Sequence, residues 1–172
     1  MSDLSLTDAR HLEAAQGWLG LRNWREARAE LTNIAAELQS HPDVLQVRWS
    51  VYAAAKEWEP AAQVAEEFRK ARPDNPFGFI HLAYALHEMK RTQEARDVLL
   101  PVLDKFRDEF IIRYNLACYA CQLGDGEGAW QWLEKSMALT DPDDVKRMAL
   151  NDPDLEPLRG QIKERWVKEP EE

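Results

Sequence analysis

The stretch YNLACYACQLGDGEGAWQWLE, residues 114–134, decides the fold. Two runs rich in small and aromatic residues flank a polar, glycine-rich break, GDGEG at 124–128. That break is too short for a crossover between parallel strands and suits a hairpin of two antiparallel helices. Ala129, in the phrase GAWQWLE, has counterparts at Ala95 in QEARDVL, Ala61 in PAAQVAEEF and Ala27 in REARAEL, and the spacing is 34 residues every time. Four residues beyond each alanine stand Leu31, Ala65, Leu99 and Leu133, and three further on Ile34, Phe68, Val102 and Ser136. Offsets of four and seven lie on one side of a helix, so these columns form one stripe.

A second stripe precedes it in the same register: Ala15, Trp49, Ala83 and Ala117, then Trp18, Tyr52, Leu86 and Ala120, then Leu21, Ala55, Met89 and Leu123. GLRN, KEWE, MKRT and GDGEG separate the two stripes. Each period therefore reads helix, turn, helix. His41-Pro42, Asn75-Pro76, Asp141-Pro142 and Asp152-Pro153 mark helix starts, because the missing N–H of proline costs nothing at the first helical position. Pro101 falls inside the second helix of the third period, where it deletes the hydrogen bond to the Asp97 carbonyl and predicts a kink or a shortened helix.

With that period, a large–small–aromatic first helix and an alanine in the second, the chain resembles the tetratricopeptide repeat (TPR) family. YNLACYACQLGD and the closing proline at Pro73 carry the likeness most clearly, and ALNDPDLEPLRG resembles the end of many bacterial arrays of this family. The resemblance implies an all-α fold, an α-solenoid: a right-handed superhelical array of antiparallel helix hairpins with a C-terminal capping helix. One domain, 1–172, would hold repeats at about 8–41, 42–75, 76–109 and 110–141 and a capping segment at about 142–168. The cap is needed because a stacked repeat leaves apolar surface bare at its end. Leu155, Leu158, Ile162 and Trp166 supply it at helical spacing, and the residues from Glu169 onward are expected to fray. Trp49, where the family has a small residue, and Arg48, where it has an apolar one, make packing of the first period on the second the least secure.

The 172 residues carry 22 Lys and Arg against 31 Asp and Glu, a net charge of −9, which disfavours nucleic acid and anionic membrane as partners. The start, MSDLSLTDARHLEAAQ, has no basic residues leading into an apolar run, and no charge-free stretch reaches membrane-spanning length. A cytoplasmic location follows as the expectation.

In the family's geometry the first helices line a concave face. This places Gln46 and Ser50 in the second period, Phe77, Ile80, His81, Tyr84 and His87 in the third, and Tyr114, Asn115 and Cys118 in the fourth on a peptide-binding groove. Phe77, Ile80, Tyr84 and Tyr114 are large contact residues of the kind that anchor partner segments. The competing reading packs them against one another or against the cap. The family's carboxylate clamp is missing: Leu12, Gln16, Val47 and His81 stand in its places.

The expected function is thus a non-catalytic protein–protein interaction module that binds an extended or helical segment of a partner protein, with no cofactor or metal. One alternative is a small acidic export or secretion chaperone of this family. Another is a metal-dependent or redox enzyme using Cys118 and Cys121 with His81 and His87. The thiol pair lies in mid-helix rather than at a helix start, which argues for small residues filling tight helix contacts. Gly124, Gly126 and Gly128 read as a turn rather than a phosphate cradle, and Asp143-Asp144 as residues favoured by a helix dipole. Trp130 and Trp132 face different sides of one helix, so one packs under the cap while the other can mediate self-association as a homo-oligomer.

Overall fold

The computed structural model describes residues 4–166. Among them every regular element is helical: α1 (Leu6–Gly20), α2 (Trp24–Thr32), α3 (Pro42–Ala55), α4 (Trp58–Ala71), α5 (Phe77–Glu88), α6 (Thr92–Leu99), α7 (Phe110–Gln122), α8 (Gly126–Met137), α9 (Pro142–Asn151) and α10 (Arg159–Trp166). Short 3-10 segments cover Ala36–Leu38, Leu100–Val102 and Pro153–Leu158. The fraying expected from Glu169 lies outside the described residues.

The elements gather into two compact units that divide between Met89 and Lys90, at the turn joining α5 to α6. In the first unit α1, α2 and α3 enclose a core of Leu12, Ala15, Ala27, Leu31, Ile34, Leu38, Val44, Val47 and Val51. Leu45, Trp49, Ala61, Val64, Ala65, Phe68 and Ala85 form a second core between α3, α4 and α5. The alanines that set the period, Ala27, Ala61, Ala95 and Ala129, are all fully buried, because a methyl side chain lets the paired helices of a hairpin approach closely.

Helix starts follow local chemistry. Ser5, Asn23, His41, Asp125, Asp141 and Asp152 each accept a backbone N–H of the first turn. Pro42, Pro142 and Pro153 open their elements as expected, whereas Pro76 is itself the residue before α5, and Asn75 Oδ1 accepts the Phe77 N–H at 2.9 Å. Asp8 accepts from the Ser5 hydroxyl and from the Ala35 N–H, and these bonds hold its carboxyl below the ordinary value.

The hairpin turns share a feature absent from the spacing argument. Among the described residues Arg22, Lys56, Lys90 and Gly124 are the ones with positive φ, at 59°, 57°, 64° and 83°, and they recur every 34 positions. In the first, second and fourth hairpins the residue after the left-handed one returns a hydrogen bond to the carbonyl five positions earlier: Asn23 to Trp18, Glu57 to Tyr52 and Asp125 to Ala120, each 2.9 Å. That bond satisfies a carbonyl left open at the end of the first helix.

The two departures in the second period have structural solutions. Arg48 donates to the carbonyl and side chain of Gln39, whose amide in turn caps the Leu31 carbonyl in the last turn of α2 and the Ile34 carbonyl just beyond it. Trp49 packs toward α5, against Phe77 and His81. At Pro101 the α-helix stops: α6 ends at Leu99 and the chain continues as one 3-10 turn.

In the second unit Leu155, Leu158 and Ile162 are buried, as the cap requires. The capping segment is not one helix but α9, the Pro153–Leu158 turn and α10, because Pro153 and Pro157 interrupt the hydrogen-bond ladder.

Candidate functional site

Within the first unit α1, α3 and α5 each contribute to one depression of 270 Å³, lined by Gln16, Leu19, Gln46, Val47, Ser50 and Phe77. Three of them, Gln46, Ser50 and Phe77, are residues that the register assigned to a concave face. Ser50 Oγ donates back to the Gln46 carbonyl at 3.1 Å, one turn earlier, so its acceptor capacity remains available. No lining residue carries a charge.

An aromatic wall continues from Phe77. His81 stacks on Phe77 with ring centres 3.8 Å apart, and Trp49 meets His81 edge-on at 4.1 Å. Tyr84 lies 6.1 Å from Trp49 and 5.7 Å from Trp58 and is 39% exposed. His81 Nδ1 donates to the Phe77 carbonyl at 2.9 Å. Burial lowers the His81 pKa to about 4 against the weaker opposite pull of that carbonyl, so the ring is neutral at neutral pH. Ile80 is half-buried. His87, placed on the groove by its register, is buried instead: it stands one turn beyond fully buried Ala83, on the same side of α5.

In the second unit the fourth-period residues differ from the expectation. Tyr114 and Cys118, expected on an open groove, are 3% and 4% exposed, and Asn115 is half-buried. Burial of Leu155 and Leu158 draws the Asp152–Leu158 segment against α7. There the Tyr114 hydroxyl donates to Asp152 at 2.8 Å, Cys118 Sγ lies 3.6 Å from the same oxygen, and the Gln122 amide donates to the Asp154 carbonyl at 2.8 Å. The reading in which Tyr114 packs against the cap is the one the structure shows.

Burial, then the charges of Asp152 and Asp154, holds the Cys118 thiol well above its ordinary pKa, and burial followed by Asp154 and Asp152 raises Cys121. Nucleophilic or redox chemistry needs the thiolate, and with no cation beside it among the described residues this environment opposes its formation. The donor atoms of Cys118, Asp152 and Asp154 lie within 4.8 Å of one another; His81 and His87, the partners considered for a metal, are in the other unit.

Trp130 is buried against Trp166, ring centres 4.7 Å apart, with Arg165 4.4 Å above its ring and its Nε1 donating to Glu134. Trp132 is half-buried under the Lys135 ammonium at 4.2 Å. No helix among the described residues is long and apolar enough to cross a membrane.

Helix hairpins repeating every 34 residues around a buried alanine column, closed by a helical cap, define a tetratricopeptide-type α-solenoid. Solved structures agree over nearly the whole chain. MamA from Desulfovibrio magneticus RS-1, residue 41 to its end, superposes with a TM-score of 0.72 over 98% of this chain and 100% of that one, at 17% identity. TTC0263, a thermophilic TPR protein of Thermus thermophilus, gives 0.71 over 94% and 93% at 14% identity. YrrB, a TPR protein with an unusual peptide-binding site, gives 0.62 over 92% and 86% at 13% identity. At such identities the likeness is one of fold. No family model matches the chain. Protein FlbA of Caulobacter vibrioides is 34% identical over 81 residues, 47% of this chain but 14% of FlbA.

Proposed function

We propose that the chain is a non-catalytic protein-interaction module that receives an extended or helical segment of a partner protein in the depression framed by α1, α3 and α5. The observation that carries this reading is the convergence of side chains from three successive first helices, Gln16 and Leu19, Gln46 and Ser50, then Phe77, on one opening. Carboxamides both donate and accept, which suits a peptide backbone, and Leu19, Val47 and Phe77 offer an apolar seat for a side chain. With neutral His81 beside it and no charge in the lining, the opening favours an uncharged segment over a carboxylate terminus. Exposed Tyr84 extends the surface with a rigid aromatic of the kind enriched at interaction hot spots. On this reading the protein works in the cytoplasm, and neither nucleic acid nor membrane is among its partners.

The test is an arrayed panel of peptides of varied charge, binding measured by fluorescence anisotropy. Uncharged peptides with one large apolar residue are expected to bind. Ser50→Arg, which fills the opening and charges it, is expected to weaken them at least about tenfold, roughly 1.4 kcal/mol. Exposed Gln16→Ala, which cannot disturb the core, is expected to weaken them less. Binding unaffected by both variants in folded protein overturns the reading.

A further inference from the structure

Asp152-Pro153-Asp154 opens the 3-10 turn of the cap in a way that aims both carboxylates at α7. Asp152 Oδ1 accepts the Asp154 N–H at 2.9 Å, which fixes the first side chain, and the Tyr114 hydroxyl steadies its other oxygen. Gln122 anchors the Asp154 backbone. Facing them from mid-α7 is the Cys118 sulfur, almost wholly buried, and the partner the structure gives it is Asp152 of the same cluster. Thus one soft donor and two hard ones, from segments 34 residues apart, converge with their atoms within 4.8 Å.

We propose that Cys118, Asp152 and Asp154 bind a divalent metal ion of the zinc type, with solvent completing the tetrahedron. The dimensions fit. Zinc holds sulfur at about 2.3 Å and carboxylate oxygen at about 2.0 Å, so the tetrahedral edge between them is about 3.5 Å; Sγ and the Asp152 oxygen are 3.6 Å apart. Mixed sulfur and oxygen donors suit zinc or cobalt rather than calcium or magnesium. Tyr114 and Gln122 are the outer groups that orient a ligating carboxylate and its backbone. Half-buried Asp152 and Asp154 leave the fourth position open to water, while the sulfur side is closed. On binding, the S–H bond breaks, one proton leaves to solvent and the S–metal bond forms. Cys121 lies one turn on but is not among the clustered donors, and it serves as the control.

Titration of the reduced full chain with cobalt(II) chloride tests the site. A thiolate-to-cobalt charge-transfer absorption should saturate at one ion per chain and be displaced by zinc. Asp154→Asn, isosteric and outside the core, should weaken cobalt binding at least tenfold, with circular dichroism unchanged. Cys118→Ser should abolish the band and Cys121→Ser should leave it. No band in the wild type at excess cobalt, a band that survives Cys118→Ser, or one lost with Cys121→Ser would each overturn the proposal.

Discussion

The Tyr114 hydroxyl donates a 2.8 Å hydrogen bond to the Asp152 carboxylate, 38 residues further along the chain. The bond ties the middle of α7 to the start of the Pro153–Leu158 turn, the segment that brings Leu155 and Leu158 into the core of the second unit. A buried phenol bonded to an anion is among the stronger hydrogen bonds a protein makes. Tyr114→Phe keeps the ring and removes the donor, leaving Asp152 with one partner fewer in a half-buried place. The expected loss is about 1.5–3 kcal/mol of stability by urea unfolding, with amide exchange at Leu155 and Ile162 accelerated ahead of the rest. A change confined to α1–α5, or none, would contradict the tie.

What the sequence made legible, and what it did not, divides along the same line. The 34-residue alanine column, the proline helix starts and the apolar face of the cap depend on near neighbours, and local periodicity reports them. The fate of Tyr114 does not: its register matches that of half-buried Gln46 and Ile80, and its hydroxyl is taken up by Asp152, which arrives from beyond α9. His87 likewise looked open by family register, yet its neighbour one turn back, Ala83, fixes it to the buried side of α5. Of the depression's lining, Gln46, Ser50 and Phe77 follow from the register, whereas Leu19 does not, because shape comes from backbone placement while composition marks only large side chains.

Left-handed residues at Arg22, Lys56, Lys90 and Gly124 make the four hairpin turns comparable experiments. A side chain at positive φ costs roughly 1–2 kcal/mol, offset in part by the greater chain entropy that glycine loses on folding. A Cβ placed on Gly124 meets nothing within 4 Å, so Gly124→Ala carries the backbone penalty alone and should destabilise by about 1 kcal/mol or more. Lys56→Gly should do the reverse and stabilise by up to about 1 kcal/mol. Thermal unfolding of both variants gives the answer, and equal signs would show that the turns are not equivalent.

His81 gives the first unit a defined pH response. Its folded pKa, lowered to about 4 chiefly by burial between Phe77 and Trp49, lies below the ordinary 6.5 of an unfolded histidine. As pH falls below 6.5 the unfolded chain takes up a proton that the folded chain refuses, so the stability supported by neutral His81 is complete above 6.5 and declines until about 4, where both states are protonated. Each unit of difference corresponds to about 1.4 kcal/mol, which puts the decline at roughly 3 kcal/mol for a ring still partly in contact with water. Replacing the ring by a group that does not titrate, His81→Gln, should lower stability at neutral pH through lost stacking yet flatten the slope between 6.5 and 4 relative to the wild type. Urea midpoints across that interval measure it; parallel curves for the two proteins would show that another group carries the response.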